Sequence, residues 1–176
     1  MVMPRRETLV FDAAPLIALS AAGFLPHVTR LGVRIVIAEE VRDEVSAEGR
    51  GSGTPEHLLL ARMLREGAIE VRRVRNRRLV DRIRENPRLS TADATSFCLA
   101  VEVGGRLVAD DRDLRAAARA LDVPLGGSLY ILGLAVERKR VTGAEAVQIV
   151  ERMIRSGWYC SPALLKEFSD HVLGRR

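Results

Sequence analysis

The chain has 176 residues, 47% of them hydrophobic, which fits one domain that buries a core of its own without disulfide staples. Its formal charge of +5 comes from 28 basic residues, of which only Lys139 and Lys166 are lysines. No apolar run reaches the length of a membrane span, Asp12 and Pro15 break the apolar segment 9–25, and the two cysteines suggest no disulfide framework, so a cytoplasmic protein without a membrane partner is expected.

Residues 8–11 are short and rich in β-forming side chains and predict a buried strand. Pro15 suits the first helical position, and Leu16, Leu19 and Phe24 continue an apolar face. Residues 24–31 predict one or two further helical turns, 33–37 a second strand, and 38–47 a helix with Val41 and Val45 inward. Residues 48–56 read as a flexible Gly- and Ser-rich connection into a helix through Leu64. A more polar strand follows at 69–74, then an amphipathic helix at 76–86, stopped by Pro87. Residues 90–103 predict a long helix, 106–109 a strand, 113–121 a helix and 123–125 a last short strand. Three helices with no strand between them close the chain at 129–138, 144–155 and 163–173. Strand and helix alternate up to that point, which predicts an α/β fold: a three-layer α/β/α sandwich around a mainly parallel sheet. Residues 1–127 form the α/β part, and 128–176 a helical extension packed on it.

Four acids sit at the edges of hydrophobic runs: Asp12, Glu44, Asp93 and Asp111. Two follow strands and two lie on helices, and in an alternating fold such positions meet along one edge of the sheet. At about 5 Å and an effective dielectric near 20, each ionised pair among them costs roughly 3 kcal/mol, which a divalent cation relieves. Each acid also has a plainer role to set against this. Asp12 is a good helix cap, although Pro15 at the first helical position would move the cap to Ala14. Glu39 and Glu40 complement a helix dipole, while Glu44 lies past the first turn; Glu40 is the alternative inward carboxylate. Asp93 stands three residues after Ser90, the spacing of a capping box. Of Asp110, Asp111 and Asp113, one is needed as a cap, and Asp113 is expected to be it.

Other chemistries find little support. His27, His57 and His171 lack paired zinc spacing, no phosphate-binding Gly-rich loop occurs, and Cys98 reads as core. Arg72, Arg73, Arg75, Arg77, Arg78 and Arg82, continued by Arg84 and Arg88, form a basic stretch opposed only by Asp81 and Glu85. Arginine presents a planar fork that matches phosphate oxygens in pairs, so the stretch is a candidate RNA surface; a solvated helix face whose stems cover apolar surface is the alternative. A GC-rich or heat-adapted genome is another source of so many arginines.

Taken in order, LVFDAAPLIAL, AEEVRDEV, TADATSFCLA and LVADDRDLRAAA resemble the four acidic motifs of the PIN domain, a family of Mg²⁺- or Mn²⁺-dependent ribonucleases. The resemblance spans residues 7–127. It implies Asp12, Glu44, Asp93 and Asp111 as catalytic residues and metal ligands, with Asp113 as an accessory ligand, and hydrolysis of single-stranded RNA to a 5′-phosphate and a 3′-hydroxyl. The family often has a hydroxyl residue just after the first acid and another two positions before the fourth; this chain has Ala13, Ala14 and Ala109 there. Losing such hydroxyls would remove hydrogen bonds that orient the ligands. The competing readings are a toxin-type nuclease held by an antitoxin and an inactive RNA-binding or assembly module. A metal-dependent phosphatase is weaker, because no nucleophile motif surrounds Asp12. The closing helices also offer a surface for a homodimer.

Overall fold

Leu9, Val10 and Phe11 are wholly buried because their strand lies in the middle of a sheet covered on both faces. The computed structural model describes residues 6–48 and 54–174. Its five strands are β1 (Thr8–Phe11), β2 (Arg34–Ala38), β3 (Glu70–Arg72), β4 (Arg106–Val108) and β5 (Leu125–Gly126). They form one sheet in the order β3-β2-β1-β4-β5, and every neighbouring pair is parallel. Phe11 lies opposite Val108, so the residues that follow β1 and β4 emerge side by side.

The helices are α1 (Ala13–Ala21), α2 (Leu25–Val28) with a 3-10 turn at Thr29–Leu31, α3 (Glu39–Glu48), α4 (Pro55–Arg65), α5 (Arg77–Arg84), α6 (Thr91–Val103), α7 (Arg112–Ala120), α8 (Ser128–Glu137), α9 (Gly143–Arg155) and α10 (Pro162–Val172). From β1 the chain steps through β2 to β3, then returns to the other side of β1 for β4 and β5. Right-handed crossovers in opposite directions put α1 to α4 on one face and α5 to α7 on the other. Accordingly α6 packs on β1, β2 and β4 beside α5 and α7, while α1 packs on α4, α8 and α9. Helix α3 touches both α1 and α6, bridging the two layers. This is the expected three-layer sandwich.

One boundary needs correcting. Helix α1 begins at Ala13 rather than Pro15, so Asp12 itself takes the cap position, with extended backbone (φ −78, ψ 166). Proline at the third helical residue loses no hydrogen bond, because that amide has no partner inside the helix. Of the expected flexible connection 48–56, residues 49–53 lie outside the described residues; Thr54 caps α4 in position and Pro55 begins it.

The closing helices share the core of the sheet. Ile131, Leu132, Ile149, Val150, Met153 and Phe168 join β1 and α1 in one continuous cluster, and each such burial stabilises by about 1.5–3 kcal/mol. Helix α9 starts with a capping box: Thr142 Oγ1 accepts from Glu145 N–H at 3.2 Å, and Glu145 Oε2 accepts from Thr142 N–H at 2.7 Å. At the end of the sheet where β1 and β4 begin, Tyr130 Oη and Arg106 Nε both donate to Glu7 Oε1 at 3.0 Å, which ties α8 to the strands. Among the described residues no helix is long and apolar enough to cross a membrane.

Candidate functional site

Strand order reverses at β1: its two neighbours are β2, next in sequence, and β4, reached from the far side. Chain segments leaving β1 and β4 diverge to opposite faces and open a crevice beyond the strand ends, where folds of this type bind ligands. Asp12 follows β1 at this crevice, and its backbone N–H donates to Val108 O at 3.0 Å. Asp110 and Asp111 follow β4.

Asp12 is 5% exposed and, although it holds the cap position of α1, its side chain caps nothing. Burial first, then the charge of Asp93, then that of Glu44, raise its pKa from 3.8 to about 7, against hydrogen bonds from Ala13 N–H and Ser96 that lower it. The charges of two of the other three expected acids therefore reach Asp12. On α3 it is Glu44, one turn beyond Glu40, whose charge reaches Asp12. Glu40 turns instead to α5, where its Oε1 accepts from Arg77 Nη1 at 2.8 Å, while its buried Oε2 has no hydrogen-bond partner.

Two site acids also hold helix N-termini. Asp93 Oδ2 accepts from Ser90 N–H at 2.7 Å, and Ser90 Oγ accepts from Asp93 N–H at 3.0 Å, the expected capping box. Asp111, not Asp113, caps α7: its Oδ1 accepts from Leu114 N–H at 2.8 Å. The expectation for Asp113 fails because α7 begins at Arg112, which puts Asp113 inside the first turn, beside Arg88 at 3.5 Å. In both caps only one carboxylate oxygen is engaged, and Asp93 Oδ1 and Asp111 Oδ2 accept no hydrogen bond among the described residues.

Asp110 takes a different role. Its Oδ1 accepts from Ser128 N–H at 2.8 Å, and its Oδ2 accepts from Ser128 Oγ at 2.5 Å and Trp158 Nε1 at 2.8 Å. The first acid after β4 thus anchors α8 and the α9–α10 link to the strand end. Gly127 makes room for it, since a Cβ there would stand 2.7 Å from Asp110 Oδ1 and 2.9 Å from Arg115 Nη1.

Ser96 is the residue beside Asp12 that motif reading misses. It is wholly buried on α6 and its Oγ donates to Asp12 Oδ1 at 3.4 Å. With Ala13 and Ala14 carrying no hydroxyl, this one reaches Asp12 from another helix. Its signal was the spacing of Asp93 and Ser96, three apart on one helical face.

The arginines of the basic stretch separate into two sets. Arg72 pairs with Glu70 at 2.6 Å and Arg77 with Glu40 at 2.8 Å. Arg73, Arg75, Arg78 and Arg82 make no ion pair among the described residues. A groove of about 1030 Å³ runs along 71–77 against Leu99, Glu102 and Val103 of α6.

The donor set is all oxygen, anionic and partly desolvated, which fits a hard divalent cation with few protein ligands and retained waters. Among the described residues no three His, Cys, Asp or Glu side chains converge closely enough to enclose an ion by themselves.

A family model described as the PIN domain matches residues 8–172. The chain belongs to the PIN-domain family. The match continues through α8, α9 and α10, past residue 127 where the resemblance read from the four motifs ends. PIN domains are commonly nucleases that use divalent metals; they often bind RNA and sometimes antitoxins. The crystal structure of PAE2754 from Pyrobaculum aerophilum superposes with a TM-score of 0.51 at 23% identity, covering 74% of this chain and 90% of that one. That likeness shows the fold alone. No curated protein matches the chain.

Proposed function

We propose that this PIN domain is a metal-dependent endoribonuclease that hydrolyses single-stranded RNA at the crevice between β1 and β4. The observation that carries the reading is Asp12: a buried carboxylate raised to about 7 by desolvation and by Asp93 and Glu44. A site of mutually repelling carboxylates at the switch point of a nuclease-family fold is one that a cation completes. Asp12, Glu44, Asp93 and Asp111 would hold one or two Mg²⁺ or Mn²⁺ ions, with Asp113 as an accessory. When bound, such an ion lowers the pKa of a water molecule and offsets charge on the phosphate.

The chain's own residues set the geometry. Ser96 Oγ and Ala13 N–H hold the Asp12 carboxylate in place and favour its ionised form. The capping bonds fix Asp93 and Asp111 while leaving one oxygen of each directed elsewhere. Burial keeps bulk water from Asp12. Arg73 and Arg75, with the paired Arg72 and Arg77 at the same groove, provide positive charge for the polyanion, and Arg78 and Arg82 on α5 would add to it. Residues 1–127 are read as the catalytic part and 128–176 as its helical extension.

A second reading rests on the same caps: Asp93 and Asp111 have complete structural roles, as an RNA-binding or assembly module without catalysis would need. Cleavage of a labelled single-stranded RNA in Mn²⁺, Mg²⁺ or EDTA by the wild type and Asp12→Asn decides between them. Metal-dependent cleavage that the variant loses supports the nuclease; RNA binding with no cleavage in any metal supports the module. Co-purification of a short peptide chain that blocks the activity would support a toxin held by an antitoxin.

A further inference from the structure

One arginine of the basic stretch reaches the acidic edge itself. Arg88 lies between α5 and α6, two residues before the cap Ser90, and its Nη1 stands 3.5 Å from Asp113 Oδ1 in the first turn of α7. The pair spans the N-termini of α6 and α7, the helices that hold Asp93 and Asp111. It is loosely held: the side chains are 74% and 32% exposed, and the distance exceeds the 2.7–2.9 Å or so of a charge-assisted hydrogen bond. Exposed pairs of this kind contribute little to stability and exchange readily. Arg72 and Arg77 are, by contrast, engaged with Glu70 and Glu40 at 2.6 and 2.8 Å.

We infer that Arg88 is a substrate-contacting residue of this site, which exchanges the carboxylate of Asp113 for a phosphate oxygen of RNA lying across the acidic edge. The inference rests on the ribonuclease reading for its substrate. The edge alone repels a polyanion, so a phosphate that approaches it needs a cation within reach, and guanidinium presents two parallel donors to two phosphate oxygens. Asp113 holds that guanidinium at the edge in the free protein, and the looseness of the pair lets it turn to a stronger partner.

The test is binding of labelled single-stranded RNA in EDTA, across a salt series, to the wild type, Arg88→Gln, Asp113→Asn and the double variant. Both side chains reach the surface, so the variants are expected to fold. Loss of one phosphate contact by Arg88→Gln should weaken binding about tenfold at low salt and flatten the log–log salt slope by about 0.7. Asp113→Asn should tighten binding by freeing Arg88, and that gain should vanish in the Arg88→Gln background. Equal tightening in both backgrounds would show Asp113 acting as a bare charge and overturn the inference. So would an Arg88→Gln protein with wild-type affinity and slope, or a wild type that binds no RNA. Metal-dependent cleavage is read separately: coupling without cleavage would sink the nuclease and keep the contact, and cleavage without coupling would do the reverse.

Discussion

Asp12→Asn should make the metal-free protein more stable while abolishing cleavage. Asparagine keeps the shape of the side chain and can still accept from Ser96 Oγ and Ala13 N–H, but it cannot ionise. With a folded pKa of about 7 against 3.8 for an ordinary aspartate, native Asp12 binds a proton more tightly than the unfolded chain does. Its stabilising contribution is thus present below pH ~4 and is lost as pH rises to ~7. A shift of that size corresponds to about 4 kcal/mol at full ionisation. Part of the repulsion relaxes through water and movement of Asp93 and Glu44, so about 2–4 kcal/mol is expected. Urea unfolding in EDTA at pH 5, 6, 7 and 8 measures it. The variant's advantage should be about 1–1.5 kcal/mol at pH 5 and reach its plateau near pH 8. At that plateau the melting temperature should rise by roughly 5–15 °C for a chain of this size. Mn²⁺ at 100 times its dissociation constant should then stabilise the wild type by about 2.7 kcal/mol and leave the variant nearly unmoved. An advantage that does not change with pH, or a variant less stable than the wild type at pH 8, would refute the account of Asp12.

Other outcomes follow from the neighbours of that residue. Ser96→Ala removes a hydrogen bond that lowers the Asp12 pKa, so the midpoint of the stability–pH curve in EDTA should move to higher pH; an unmoved midpoint would mean that the 3.4 Å contact carries no weight. Gly127→Ala should destabilise by about 1–3 kcal/mol, because the new methyl would meet Asp110 Oδ1 at 2.7 Å; a neutral effect in urea unfolding would contradict that geometry. Trp158 is the single tryptophan, and its indole N–H donates to Asp110, adjacent to Asp111. Its fluorescence should therefore change on titration with Mn²⁺ in the wild type and stay flat in Asp12→Asn.

Sequence alone carried most of the fold, because strand and helix periods, capping spacings and the Gly and Pro breaks act over a few residues. The strand at Thr8–Phe11, the capping box of Ser90 with Asp93, and the amphipathic helix around Val80 are all written locally. Asp12, Glu44, Asp93 and Asp111 stood out for the same reason, each at the edge of an apolar run. How neighbouring acids divide their roles was not legible, because it depends on groups distant in the chain. Asp110 became an anchor through Ser128 and Trp158, which are 18 and 48 residues away. Glu40 turned from the crevice to Arg77 on α5, 37 residues on. The hydroxyl that does reach Asp12 comes from Ser96, across 84 residues of chain. Patterning therefore decided which elements form, and only the parallel sheet, by bringing the ends of β1 and β4 together, decided which oxygen atoms face the crevice.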